Sequence, residues 1–182
     1  MIDVNNIAKI DSQDKSIKAK IPKASWKLSD IKEFKAATGK PVVVKGIMCL
    51  EDAKVATENG ADAIWVSNAG GRTLDTLPST ISVLSSIVKA VKAANPKAEV
   101  YIDGGIRRGI DVIKCLALGA QMVFLGEPLA WALHYGAKEG VAYMVSILQD
   151  EFKTAMILTN SMDVAQITEK QVIHHLSNRA RL

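Results

Sequence analysis

Four places in this 182-residue chain carry polar or glycine residues directly out of short apolar runs. Lys45 ends Pro41-Val42-Val43-Val44-Lys45. Ser67 and Asn68 follow Ala63-Ile64-Trp65-Val66. Asp103-Gly104-Gly105-Ile106-Arg107 follows Val100-Tyr101-Ile102, and Gly126-Glu127 follows Met122-Val123-Phe124-Leu125. The glycine-rich turn has the make-up of a phosphate cradle. Gly104 and Gly105 carry no side chain, so backbone N–H groups can approach an anion closely. A helix start at Gly109-Ile110 adds partial positive charge. Arg107 can add a bidentate contact. Two plainer readings stay open: the glycines suit a tight turn that needs positive φ, and polar residues often simply mark where strands stop.

Other chemistries find less support. His134, His174 and His175 show no metal-ligand spacing with carboxylates or thiols. Cys49 and Cys115 form no C-x-x-C pair and no disulfide framework, which points to a reducing, intracellular compartment. The net charge of +4 is spread along the chain, without a basic block interleaved with aromatics, so nucleic-acid binding is not indicated. That charge could draw anionic substrates or could be an ordinary solvated surface. No apolar run reaches membrane-spanning length, so no membrane partner is expected. A hydrophobic fraction of 48% suits a globular domain with a sizeable core.

The elements that must position these groups alternate strand and helix. Residues 1–24 are polar and Lys-rich, and are expected to form a mobile arm. Ser29 is a plausible N-cap for a helix ending at Gly39. Strands are expected at 41–45, 63–66, 100–102 and 122–125. Helices are expected at about 50–59, 79–94 and 110–118, then one from Glu127-Pro128, a long one over about 138–159 and a short one over about 163–172. Glu127 with Pro128 suits a helix's first turn. An internal repeat supports the alternation. Gly46, Ile47, Asp52, Gly60 and Ala61 recur as Gly105, Ile106, Asp111, Gly119 and Ala120, each 59 residues on. Duplicated βα units build (β/α)8 barrels, and four strands make half of one. The fold class is therefore α/β, a half barrel of four parallel strands. A doubly wound open sheet is the structural rival.

Ser67-Asn68-Ala69-Gly70-Gly71-Arg72-Thr73-Leu74-Asp75 closely resembles the S-N-H-G-G-R-x-L-D signature of the FMN-dependent α-hydroxy-acid oxidases and dehydrogenases. The resemblance extends from about Ser25 to about Ile173 and covers the C-terminal half of that family's barrel. It implies FMN as cofactor and oxidation of a small 2-hydroxy acid to a 2-oxo acid. Lys45 is similar to the lysine that contacts the flavin and stabilises negative charge on it. Ser67 would also contact FMN. Arg72 would pair with the substrate carboxylate. Asp103 would bind the ribityl chain, with Gly104, Gly105, Arg107 and Gly126 at the phosphate. Lys45 and Arg72 could otherwise be ordinary surface cations, and Ser67 a turn cap. Two positions depart from the signature. Ala69 stands where the family has its proton-accepting histidine, so no intact catalytic base is expected. Glu127 stands where the family has a phosphate-gripping arginine.

Residues 25–175 are thus expected to form the half barrel, and 176–182 a tail. Ala180-Arg181-Leu182 resembles a peroxisomal address of the S-K-L type; without it the location would be cytoplasmic. Half a barrel leaves two sheet edges and an inner face, so association with a second copy or a full-length relative is expected. Three functional readings follow: an impaired oxidase, a non-catalytic flavin- or phosphate-binding subunit, and a truncated gene relic.

Overall fold

A computed structural model describes residues 27–173. The expected arm and tail, with His174 and His175, lie outside them. Helix α1 spans Ile31–Thr38, and strand β1 spans Val43–Ile47. Then come α2 (Leu50–Glu58), β2 (Ala63–Val66), α3 (Thr80–Ala94), β3 (Glu99–Ile102), α4 (Gly109–Ala117), β4 (Met122–Val123) and α5 (Glu127–Leu158). The four strands form one parallel sheet in the order β1-β2-β3-β4. Consecutive parallel neighbours joined by helices are the units of an α/β barrel, so the architecture is that of a partial one.

One face of the sheet makes the core. Val44, Ile64, Val66, Val100 and Ile102 are buried with Ala53 and Ala56 of α2 and Leu84, Ile87 and Val91 of α3. Each fully buried aliphatic side chain stabilises the fold by roughly 1.5–3 kcal/mol. Helix α4 works on two sides. Cys115 joins the sheet core, while Ile113 and Ala117 pack with Ala155 of α5 and Ile167. On the other face, Lys45, Trp65, Tyr101 and Met122 stand in register across all four strands. The Trp65 and Phe124 rings stack at 3.9 Å between centroids, and Tyr101 meets Trp65 edge-on at 6.4 Å.

The 59-residue repeat holds at the level of single hydrogen bonds. The Ala61 N–H donates to Ala56 O and the Ala120 N–H to Cys115 O, both at 3.1 Å. Gly60 and Gly119 precede them with φ of 95° and 100°, a left-handed turn that favours glycine. The Asp62 carboxylate accepts from Val42 N–H at 2.7 Å, and the Gln121 amide oxygen, 59 residues on, accepts from Val100 N–H at 2.6 Å. Gly109 has a different reason. A Cβ there would lie 2.3 Å from Phe152 N, so α4 and α5 can cross this closely only over a glycine.

Several expectations need correction. Strand β1 starts and ends two residues later than expected, because Gly46 (φ 100°) bends the chain without ending it. Register slips between Lys45 and Ile47, and Lys45 lies inside the strand. Strand β4 is shorter than expected, although Phe124 N–H still bonds Ile102 O at 2.9 Å. Asp30, not Ser29, serves the first helical turn, accepting from Lys27 N–H at 2.9 Å; a carboxylate is the stronger acceptor. The expected helix over 163–172 is two 3-10 turns, Val164–Gln166 and Glu169–Gln171. There the Gln166 and Gln171 side chains capture the N–H groups of Met162 and Thr168, in competition with a continuous helix. Helical bonding runs through Glu127–Leu158, with a break at Gly136 and Ala137 that separates the two expected helices. The longer part packs on α4.

Candidate functional site

The C-terminal ends of the strands open into a cavity of about 720 Å³. It is lined by Lys45, Trp65, Ala69, Gly70, Arg72, Asp103, Gly104, Gly105, Ile106, Arg107, Phe124, Leu125, Gly126, Glu127, Pro128 and Ala130. Residues from all four βα units therefore converge on one space. Of the candidate strand-end residues expected from sequence, Asn68 is missing from the lining, and so is Ser67. Its side chain is buried, and its hydroxyl accepts from Ala69 N–H at 3.2 Å. Ser67 shapes the loop.

Lys45 Nζ lies 3.2 Å from Asp103 Oδ2 and 4.8 Å from the centre of the Trp65 ring. Carboxylate and indole face together fix the ammonium at the cavity floor. Two polar atoms there have no partner among the described residues: Asp103 Oδ1 and Trp65 Nε1, both buried. Leaving a buried polar group unpaired typically costs about 1–3 kcal/mol, so an acceptor and a donor stand ready beside the cavity.

The glycine turn is held from behind. Thr80, the first residue of α3, donates its hydroxyl to Asp103 O at 2.6 Å. Gly104 has φ 91°, and a Cβ on it would approach Thr80 Oγ1 to 3.1 Å and Asn68 Oδ1 to 3.3 Å. Both the backbone angle and the close approach call for glycine. Among the described residues, the N–H groups of Gly104, Gly105 and Ile106 have no hydrogen-bond partner. The expectation that the start of α4 completes the cradle is not met. Arg107 and Arg108 N–H donate to Asp111 Oδ2, and Gly109 N–H to Glu151 Oε2, at 3.1, 3.0 and 2.8 Å. The helix end is closed by its own Asp111 and by Glu151 of α5.

At the outer rim, Arg107 Nη2 lies 3.8 Å from Glu127 Oε2. The Trp131 indole N–H reaches Glu127 Oε1 at 3.5 Å. Ala69 lies in the loop after β2 with φ 54°, a left-handed angle uncommon for alanine. Asn68 holds this turn by accepting from Gly70 N–H at 3.1 Å. Thr80 and the orphaned Trp65 N–H were not readable as site features. A Ser-Thr pair before a helix suggests a cap, not a latch on a loop 23 residues away. Among the described residues no cluster of His, Cys, Asp and Glu suits a metal, and no helix is long and apolar enough to cross a membrane.

Parallel βα units with a cavity lined by charged residues at the strand ends define a segment of an α/β barrel. Its family follows from comparison: the model of the FMN-dependent dehydrogenases matches residues 4–174, and the chain belongs to that family. It is 45% identical over 148 residues to 2-hydroxyacid oxidase 2 of Bos taurus, covering 81% of this chain and 40% of the relative. Identity to glycolate oxidase 1 of Zea mays is 44%, covering 82% of this chain and 39% of the relative. Among solved structures, a mandelate oxidase superposes with a TM-score of 0.74 at 40% identity, over 80% of this chain and 43% of the other. A flavocytochrome b2 variant does so with a TM-score of 0.76 at 38% identity, over 81% and 38%. The chain thus spans about 40% of the length of the curated relatives it matches.

Proposed function

We propose that this chain is the flavin-binding, strand-end part of a 2-hydroxy-acid oxidase-type barrel, and that by itself it turns over little or no substrate. One observation carries the reading: Lys45, Arg72, Asp103, Gly104, Gly105 and Arg107 border a single cavity, with an alanine at the place of the family's base.

The residues present fit most of FMN. Asp103 Oδ1 is an unpaired buried acceptor suited to a ribityl hydroxyl. Lys45 is held where it can offset negative charge on a flavin ring. The free N–H groups of Gly104, Gly105 and Ile106 suit the phosphate end, where Arg107 is already paired with Glu127. Glu127 is the residue that fits least. FMN, when bound, supplies a hydride acceptor for the α-hydrogen of a 2-hydroxy acid, leaving a 2-oxo acid. In this chain Arg72 would bind the substrate carboxylate. The methyl group of Ala69 can hold no proton, and a positioned base typically contributes ~10²–10⁴-fold.

The test has two stages. Purified chain should bind FMN, seen as a change in flavin absorbance or fluorescence; no binding would remove the reading. Peroxide formation with glycolate or lactate should be undetectable or very slow, and Ala69→His should raise any residual rate. Robust turnover by the unaltered chain would refute impairment. A non-catalytic subunit that joins a complete relative is the second reading, favoured by Ala69 together with the half-buried Trp65, Tyr101 and Phe124 face. For location, we propose that Ala180-Arg181-Leu182 directs the chain to peroxisomes; a fluorescent protein ending in this tail that stays cytosolic would contradict it.

A further inference from the structure

We infer that Glu127 abolishes selectivity for a phosphorylated flavin, so that the pocket holds riboflavin about as well as FMN. The inference rests on the flavin reading above and concerns only the outer end of that site.

Three positive features could draw a phosphate dianion, and carboxylates of the chain already answer all three. The Arg107 guanidinium faces Glu127 at 3.8 Å. The N-terminus of α5 has Glu127 as its first residue, where the helix dipole favours a carboxylate. The N-terminus of α4 is closed by Asp111 and Glu151. The Arg107–Glu127 pair is 72% and 66% exposed, so it adds little to stability. Its effect is on charge: it offsets the Arg107 guanidinium where a dianion would need a cation.

What remains in the pocket suits a polyol. The N–H groups of Gly104, Gly105 and Ile106 are uncharged donors, able to bind a hydroxyl oxygen as readily as a phosphate oxygen. The buried, unpaired Asp103 Oδ1 requires a donor. A ribityl hydroxyl is one, and riboflavin and FMN both carry it, so this contact serves the two flavins alike. Glu127, which lines the cavity and takes the Trp131 indole N–H, can accept from a terminal hydroxyl but repels a terminal phosphate.

The experiment titrates the 182-residue chain with FMN and with riboflavin in parallel. In the unaltered chain the two Kd values should agree within about tenfold. Glu127→Arg should tighten FMN by about tenfold or more and leave riboflavin within about twofold. Glu127→Gln, which keeps the size and removes the charge, should move FMN in the same direction by a smaller factor, and serves where the arginine variant folds badly. FMN bound more than about tenfold tighter than riboflavin by the unaltered chain would overturn the inference and leave the flavin reading intact. Equal tightening of both flavins by Glu127→Arg would also overturn it, because the charge would not be acting at the phosphate. Failure of the unaltered chain and both variants to bind either flavin would overturn the flavin reading itself, and this inference with it.

Discussion

Lys45 and Asp103 form one ionic unit on the floor of the cavity, 3.2 Å apart, with side chains only 16% and 17% exposed. Neither charge is well placed to be solvated alone. Asp103→Ala should therefore destabilise the chain by about 1–3 kcal/mol, by stranding the ammonium beside Trp65. Lys45→Met should cost a similar amount. The double variant should cost clearly less than the sum, because it removes both charges together. Urea unfolding of the four proteins measures this; strict additivity would show that the two groups do not interact.

Ala69 adopts φ 54°, a region that costs an L-residue with a Cβ roughly 1–2 kcal/mol. Ala69→Gly should relieve this, offset by the greater freedom of the unfolded chain, for a net gain of about 0.5–1 kcal/mol. Histidine tolerates left-handed angles better than most residues, so Ala69→His should fold normally. Thermal unfolding tests both. A glycine variant less stable than the parent would mean that the loop does not hold this turn.

Gly109 is required by contact, not by its own backbone angle. A methyl group there would meet the backbone of α5 at Phe152 N, 2.3 Å away, and backbone cannot rotate aside. Gly109→Ala should cost about 2–3 kcal/mol and separate α4 from α5. It should also weaken the Gly109–Glu151 hydrogen bond that closes the start of α4. A silent substitution would contradict the helix crossing.

These cases show what the sequence could disclose. The β-branched runs, the Gly60-Ala61 and Gly119-Ala120 turns and their 59-residue spacing act locally, so strands, helices and parallel order were legible. Convergence of Lys45, Asp103 and Arg107 on one cavity was legible because parallel units align their strand ends. Long-range partners were not. Glu151 closes α4 from 42 residues away, and Thr80 latches Asp103 from 23 away. The Ser67 hydroxyl was legible only as the plainer alternative, a turn cap, and it accepts from Ala69 N–H in that role.

The ionisable groups with raised pKa values make alkaline unfolding informative. Burial pushes the Cys115 thiol up to about 12 from an ordinary 9.0, and the hydrogen bond to Glu99 raises Tyr101 to about 12 from 10.0. Both groups are held in the neutral form by the fold. Their contribution is full below the unfolded values and is lost as pH rises towards 12. Stability should therefore fall between pH 9 and 12, and Cys115→Ala and Tyr101→Phe should each flatten that decline. At neutral pH a thiol reagent should label exposed Cys49 in the folded chain and Cys115 only after denaturation. Rapid labelling of both would place Cys115 outside the core.

The uncovered face leads to the last prediction. Val44, Ile64, Val66, Val100 and Ile102 turn towards α2, α3 and α4, and so the intervening residues Lys45, Trp65, Tyr101 and Met122 look the other way. Trp65, Tyr101 and Phe124 form an aromatic cluster there, and among the described residues no helix packs over it. A parallel sheet is ordinarily covered on both faces, and in a barrel the inner face is filled by side chains from the strands opposite. The outer edges of β1 and β4 are also unpaired among the described residues. Main-chain groups on such edges, beside apolar rings, favour pairing with another chain. The 182-residue chain expressed by itself should therefore self-associate, or bind tightly to a full-length family member, through β1 and β4. Trp65→Lys, which sets a charge in the middle of the cluster, should weaken that association without touching the opposite core. Sedimentation at micromolar concentration decides the matter: a compact, well-folded monomer with no bound partner would show that this face needs no cover.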